Sequence, residues 1–340
     1  MAVATAFSPE GLDRPSMNDT ARTADRRLVI ALRTGRLANR LILFANVIAF
    51  AEERGYRVLN PAFQSYAGMF ERTRPTVLSP YPAPPPHPVR SLLLPLFAAI
   101  RWTRLLYHVA FGLTRSVNRF PALAPWIRGI ETPVVPGACE LGSSAISSLI
   151  EGSRLVLLRD WGFRYAVGVP KYGKLIRAFF VPVARHRDAI AAILRRARAD
   201  CDLLVGVHVR HGDYRGFLSG RYYFDYPQYA HLMRRVRDIF PRHRLGFLVC
   251  SDGAPRPNDF PGGLRIHVSS GVAVEDLYAL AGCDLLIGPP STFTQWASFY
   301  GKVPLYHAWN PDAAPTRDDF AVADLGLISF TQRMLSMRNP

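Results

Sequence analysis

Cysteine is scarce in this chain and poorly placed for metal or redox chemistry. The four, Cys139, Cys201, Cys250 and Cys283, are far apart and form no CxxC pair and no Cys/His ligand set. That excludes a zinc module and a disulfide framework, and it points to a reducing compartment. Lysine is nearly missing: it is confined to Lys171, Lys174 and Lys302, so arginine, scattered over the whole length, supplies almost all of the 42 basic residues. With no dense lysine run and no RNP-like aromatic strand, nucleic acid is not the expected partner. Only 26 residues are acidic and the net charge is +16, which calls for another anion: a phosphorylated or acidic glycan substrate, or an acidic membrane surface. Met1 to Asp25 lacks a cationic start followed by an apolar core, so it reads as a disordered leader and not as a secretory signal. The expected location is the cytoplasm. A long uninterrupted hydrophobic run is also lacking. The most apolar stretch, Ser91 to Leu113, is broken by Arg101, Arg104 and His108, and each central arginine costs roughly 2.5 to 3.5 kcal/mol on insertion scales. It is no transmembrane span.

Those three residues and Arg115 recur at helical spacing, leaving an apolar face with Trp102, Leu105, Leu106 and Phe111. Two readings stand. The helix lies on anionic headgroups, holding the protein at the inner face of the cell membrane, or it is an ordinary domain helix packed inward.

What the chain does contain is enough apolar residue, 49% of 340, for two cores. Arg27 to Leu32 reads as a strand, Gly35 as a turn, Leu37 to Arg54 as a long helix and Tyr56 to Leu59 as the next strand, one βαβ unit. From Pro75 to Pro136 prolines are frequent, so an irregular insertion is expected over about 75–150. Leu155 to Leu158 looks like a short strand and Pro182 to Asp200 like an arginine-rich helix leading into a second domain. From Leu203 strands and helices alternate: strands at Leu203 to Val209, Leu245 to Cys250, Leu264 to Val268 and Asp284 to Gly288, with helices at Tyr226 to Phe240, Val274 to Gly282 and from Phe293. The expectation is an α/β protein of two Rossmann-like, doubly wound parallel sheets facing a cleft: residues 26–199 as an N-terminal acceptor domain and 200–330 as a nucleotide-sugar donor domain.

Three sites carry chemistry. In VGVHVRHGDY, Val205 to Tyr214, an apolar run with no polar alternation fits a strand covered on both faces, and it ends in His208, Arg210, His211, Asp213 and Tyr214. An arginine there can hold a phosphate from two sides with its fixed fork of donors; the bland alternative is an Arg210 to Asp213 ion pair that closes a loop. In DLLIGPPSTFTQWASFYG, Asp284 to Gly301, two prolines stop a strand and Ser291, Thr292 and Thr294, with Gln295, crowd the start of a helix. One hydroxyl is enough to cap a helix, and three argue for phosphate. In GRLANR, Gly35 to Arg40, a glycine turn opens a helix, with Arg36 and Asn39 as added donors. LVCSDG places Ser251 and Asp252 at a strand end, where a carboxylate can accept the paired N–H groups of guanine, or simply form an Asp-Gly turn.

These residues carry a resemblance. HVRHGDY is similar to the HxRxGDY motif of α1,2-fucosyltransferases, and its HVRH core to the α1,6-fucosyltransferases, including those that decorate nodulation factors. GRLANRLILFANVIAFAEERGYRVL resembles the amino-terminal GxxGNQxFQYAxAxALA motif and the GRFGNQ of protein O-fucosyltransferases. LVCSDG is similar to a (F/Y)xxSDD strand end, and STFTQWASFYGKVPL to the late SxFSWWAAYL segment. The four fall in the superfamily's order over Leu28 to Leu305. The resemblance implies a GT-B fold and inverting, metal-free transfer of L-fucose from GDP-fucose to a glycan acceptor, with no cofactor. It makes Arg210 the residue that holds the donor's β-phosphate, sets Asp252 toward guanine, puts His208, Ser251, Ser291, Thr292, Thr294 and Gln295 around the donor, and has Gly35, Arg36 and Asn39 line the cleft. Ala38 replaces the second glycine, Arg40 a glutamine, His211 the second arginine of the α1,2 motif, and Gly253 a second aspartate. The acceptor hydroxyl also needs a proton acceptor, for which Asp213, His211 and Glu52 are candidates. A catalytically silent sugar-nucleotide or glycan binder, or an enzyme using another nucleotide sugar, fits the same motifs.

Overall fold

The computed structural model describes residues 27–30, 35–74, 76, 78–85, 102–132, 139–269, 271–326 and 333. The chain divides at Ala184: residues 184–324 form one compact unit, and the described residues up to Val183, with Leu325 and Gly326, form the other. The leader Met1 to Asp25 lies outside the described residues, as do residues 31 and 32 of the first strand and the apolar stretch 91–101.

The later unit is built on a five-stranded sheet. Its strands are β7 (Leu203–Val209), β8 (Leu245–Ser251), β9 (Arg265–Val268), β10 (Leu285–Gly288) and β11 (Leu305–His307), all parallel, in the order β11-β10-β7-β8-β9. Alternation within the apolar runs decides the packing. Val205, Val207 and Val209 point to one face with Phe247, Val249 and Ile287, and there they meet Tyr229, Met233 and Val236 of the helix Tyr226–Ile239. Each such burial is worth roughly 1.5 to 3 kcal/mol. That helix starts where Asp225 and Gln228 cap each other's backbone N–H groups. Leu204 and His208 point to the opposite face. The helix Ala184–Ala197 belongs to this unit, since His186 Nδ1 lies 2.9 Å from Glu275 and Arg198, just beyond it, holds Asp284 through Nη1 and Nη2 at 2.8 and 2.9 Å.

The earlier unit holds β1 (Arg27–Ile30), β2 (Arg57–Leu59), β3 (Ile127–Glu131) and β5 (Leu155–Arg159), parallel in the order β2-β1-β5-β3. A two-stranded pair, β4 (Cys139–Glu140) and β6 (Phe163–Arg164), stands beside it. The helix Leu37–Arg54 is apolar on nearly every side and is buried accordingly; Phe44 packs edge-on against Phe63, Phe179 and Phe180 at 5.5 to 5.6 Å. All four cysteines are free thiols.

One finding differs from the sequence reading. The stretch expected to be irregular, 75–150, contributes β3 as an edge strand of the main sheet, besides β4 and the helix Ser144–Glu151. The amphipathic helix, for which two readings stood, is described over Trp102–Ser116; in its last turns Thr114 is buried with its carbonyl against Gly129 of β3, Arg115 pairs with Glu131 at 2.8 Å, and Leu113 is exposed. His108 and Val109 are exposed. The side chains of Trp102, Arg104, Leu105 and Leu106 lie outside the described residues. Among the described residues no helix is long and apolar enough to cross a membrane.

Candidate functional site

In the later unit the chain runs from β7 outward to β8 and β9, then returns across β7 to β10 and β11. The strand order therefore reverses between β7 and β10. In open parallel sheets ligands settle outside the carboxyl ends of the strands at such a switch point. Arg210 leaves β7 there, and Ser291 follows the end of β10. Asp252 leaves β8 on the other side of Arg210.

Arg210 is held between two carboxylates, with Nη2 2.7 Å from Asp213 and Nη1 3.2 Å from Asp252, and its side chain is 14% exposed. The loop-closing ion pair anticipated from sequence is thus present, joined by a second one from a neighbouring strand. Asp252 also accepts the N–H groups of His211 at 2.8 Å and Gly212 at 3.1 Å through Oδ1. Burial works against its ionised form, but those N–H groups and the charge of Arg210 outweigh it and hold the carboxyl below its ordinary range. At Gly212 a Cβ would come within 2.6 Å of Asp252 Oδ2, so a side chain there displaces that carboxylate or the turn. The carboxylate set toward guanine by the resemblance is, in this structure, turned onto the backbone and guanidinium of the HGD turn. Ser251 accepts the N–H of Gly253 at 3.0 Å.

The two histidines of the motif have different environments. His208 is 3% exposed and lies flat on Phe293, centroids 4.7 Å apart. Burial, and then the charge of Arg210, push its pKa down to about 3, so it stays neutral and cannot shuttle protons near neutral pH. His211 is half-buried between Tyr223 and Tyr226, at 4.7 and 4.6 Å, and its Nε2 lies 2.8 Å from the carbonyl of Phe224. A carbonyl only accepts, so a neutral ring carries its proton on Nε2 and leaves the Nδ1 lone pair free. Asp213 is half-exposed and committed to Arg210.

The helix Thr292–Gly301 begins with Ser291, whose Oγ accepts the N–H of Phe293 at 3.1 Å. The hydroxyls anticipated together part company. Thr294 is fully buried and its Oγ1 donates to the carbonyl of Ser291, so it closes the first turn; Gln295 is nearly buried, and Thr292 alone stays partly exposed. One contact that the sequence did not signal ties the two motifs together. The buried Tyr214 hydroxyl donates to the carbonyl of Pro290 at 2.6 Å, and the Arg210 guanidinium lies 5.6 Å from the same ring. Burial pushes the Tyr214 hydroxyl up to about 12, which keeps it a donor.

In the earlier unit Gly35 opens the long helix with φ +92°, and a Cβ there would meet Asn39 at 2.8 Å. Arg36 is exposed and Asn39 half-buried. Arg40, in the place of the expected glutamine, fastens the turn: its Nε donates to the carbonyl of Gly35 at 3.0 Å and Nη1 to that of Ala62. Glu52 sits near the far end of the same helix, hydrogen-bonded to the Tyr81 hydroxyl. At 1.5 Å per residue that is roughly 20 Å from Asn39, which removes it from the carboxyl edge of the sheet and from the role of proton acceptor there.

No protein-family model and no curated protein matches the sequence. Among solved structures, the chain is similar to Arabidopsis thaliana FUT1, a mutant form in complex with GDP, with a TM-score of 0.56 and 13% identity over 94% of this chain and 76% of that one. It is also similar to the fucosyltransferase NodZ from Bradyrhizobium, with a TM-score of 0.46 and 17% identity over 85% and 97% of the two chains. For POFUT1 in complex with GDP the values are 0.44 and 12%, over 82% and 95%. The first likeness establishes the GT-B-like α/β fold that the motif resemblance implied.

Proposed function

We propose that the chain is an inverting, metal-independent glycosyltransferase that moves L-fucose from GDP-fucose to a hydroxyl of a glycan acceptor. The observation that carries this reading is the position of Arg210 at the switch point, next to the helix start at Ser291 and coupled to it through Tyr214 and Pro290. Breaking the bond to fucose leaves negative charge on the β-phosphate while positive charge develops on the sugar. A guanidinium already fixed between carboxylates, and the N–H groups of the first helical turn, are set to receive that charge without reorganising. This arrangement takes the part a divalent cation plays elsewhere.

Asp252 positions Arg210 and the HGD turn, and Thr292 and the Ser291 turn meet the phosphate. His211 takes the acceptor proton through Nδ1, since Asp213 is engaged by Arg210. The acceptor is a surface polysaccharide, a lipopolysaccharide intermediate or an oligosaccharide, joined through an α1,2 or α1,6 linkage. The strongly basic chain meets it in the cytoplasm or at the inner face of the membrane.

A thermal-shift panel of GDP, UDP, ADP and CMP, paired with an assay of GDP-fucose hydrolysis, tests the proposal. A shift with GDP alone and slow hydrolysis without acceptor are expected. Binding with neither hydrolysis nor transfer makes the chain a silent nucleotide-sugar binder, and a shift with another nucleotide replaces the donor.

A further inference from the structure

We infer that the corner Asp160–Trp161, where β5 ends, is the platform on which a pyranose ring of the acceptor lies. The word acceptor rests on the transfer proposed above, whereas the geometry of the corner does not. In the earlier sheet the chain goes from β1 to β2 on one side and then to β3 and β5 on the other, so its switch point lies between β1 and β5. Gly35 and Arg36 follow β1 there, and Asp160 and Trp161 follow β5. In the other sheet the corresponding place, after the strand that returns beside the first one, is held by the segment that leads from β10 to Ser291.

Asp160 has φ +116°, in the half of conformational space that favours glycine. Strain of this kind persists at ligand sites when the side chain is needed where it stands. One carboxylate oxygen accepts the N–H of Trp161 at 2.6 Å; among the described residues the other has no partner and no ion pair neutralises the group. Trp161 is half-buried, and the guanidinium of Arg164 lies 5.1 Å from its ring. Arg164 is buried and donates to the carbonyls of Trp161 and Phe163 at 2.6 and 2.9 Å, which fixes the main chain of the corner. Among the described residues no other aromatic ring packs on it and its indole N–H has no partner.

A rigid indole with an exposed part suits the C–H face of a sugar, and a free carboxylate beside it accepts sugar hydroxyls. The unpaired negative charge of Asp160 disfavours an anion, so a neutral sugar ring is selected over a phosphate. Saturation-transfer NMR on the full chain with cellotriose, N,N′-diacetylchitobiose and lactose as probes, in the presence of GDP, tests this. At least one sugar should receive saturation at its ring protons, and Trp161→Ala should weaken that binding about tenfold. Asp160→Asn, which keeps a local acceptor and tolerates the left-handed region, should lose binding while melting like the wild type. Unchanged sugar binding in both variants, or binding preserved with a lowered melting temperature in Asp160→Asn, would overturn the inference, as would a wild type that binds none of the probes. The GDP thermal shift of each sample reports on the donor site separately. Its absence from the wild type would count against the nucleotide reading and leave the sugar result intact.

Discussion

Replacing Arg210 by alanine removes one guanidinium and leaves two carboxylates behind, and the consequences for chemistry and for stability separate. Nη1 and Nη2 reach Asp252 and Asp213 at 3.2 and 2.7 Å, so the fork is already aimed before any ligand arrives. Losing one preorganised donor from a charge-stabilising site lowers turnover by about 10² to 10³-fold, or roughly 2.7 to 4 kcal/mol. Stability should fall less, by about 1 to 3 kcal/mol, because Asp252 keeps the N–H groups of His211 and Gly212. Asp252 is held below its ordinary range, so its contribution is present above the unfolded pKa and is lost as pH falls through the folded one; without Arg210 that acid-sensitive contribution shrinks. Arg210→Lys keeps the charge but cannot bridge both carboxylates, and it should fall between wild type and alanine. The assay is GDP release from GDP-fucose, with and without a glycan mixture, at saturating donor. Turnover in Arg210→Ala within about threefold of wild type, well short of the loss expected from an oxyanion-type donor, would refute the role assigned to this residue.

Other substitutions probe the parts around it. Gly212→Ala places a Cβ 2.6 Å from Asp252 Oδ2, so that carboxylate or the turn must shift and the GDP-induced thermal shift should shrink. Tyr214→Phe strands the carbonyl of Pro290 and should cost about 1 to 3 kcal/mol in denaturant melts, with weaker GDP binding; an unchanged protein would remove Tyr214 as the link between the motifs. Burial raises Asp276 to about 6, so the folded state binds the extra proton and stability declines as pH rises from about 4 to 6. Asp276→Asn should therefore melt higher than wild type above pH 6, by less than about 3 kcal/mol, with the gain gone at pH 4. His208, lowered to about 3, acts in the opposite sense: the unfolded chain takes up its proton first, and stability declines on acidification below about 6.5. A phenylalanine in its place should flatten that decline.

The strands of the later unit were legible because burial on both faces writes itself as continuous apolar sequence; Leu203 to Val209 and Leu245 to Cys250 need no context, and the second runs one residue further, to Ser251. β3 was not legible. Its sequence, IRGIE, holds two charges and sits in proline-rich surroundings, and only pairing with β5 makes it a strand. The motifs at strand ends could be read as chemistry, but not how their hydroxyls and carboxylates would be shared out. Nothing in STFT says that Thr294 faces inward and donates to Ser291 while Thr292 does not, and nothing in SDG says that Asp252 folds back on the HGD turn. Asp160 and Trp161 escaped because their signal is a positive φ and a place in the strand order, and neither is a property of residue type.

The most direct measurement is a crystal structure of the protein with GDP bound. Its diphosphate should lie within hydrogen-bond distance of both the Arg210 guanidinium and the backbone N–H groups at the start of the helix Thr292–Gly301. A nucleotide seated anywhere else, or one that touches the helix while the Arg210 guanidinium points away from the diphosphate, would contradict the shared grip on which the proposed transfer depends.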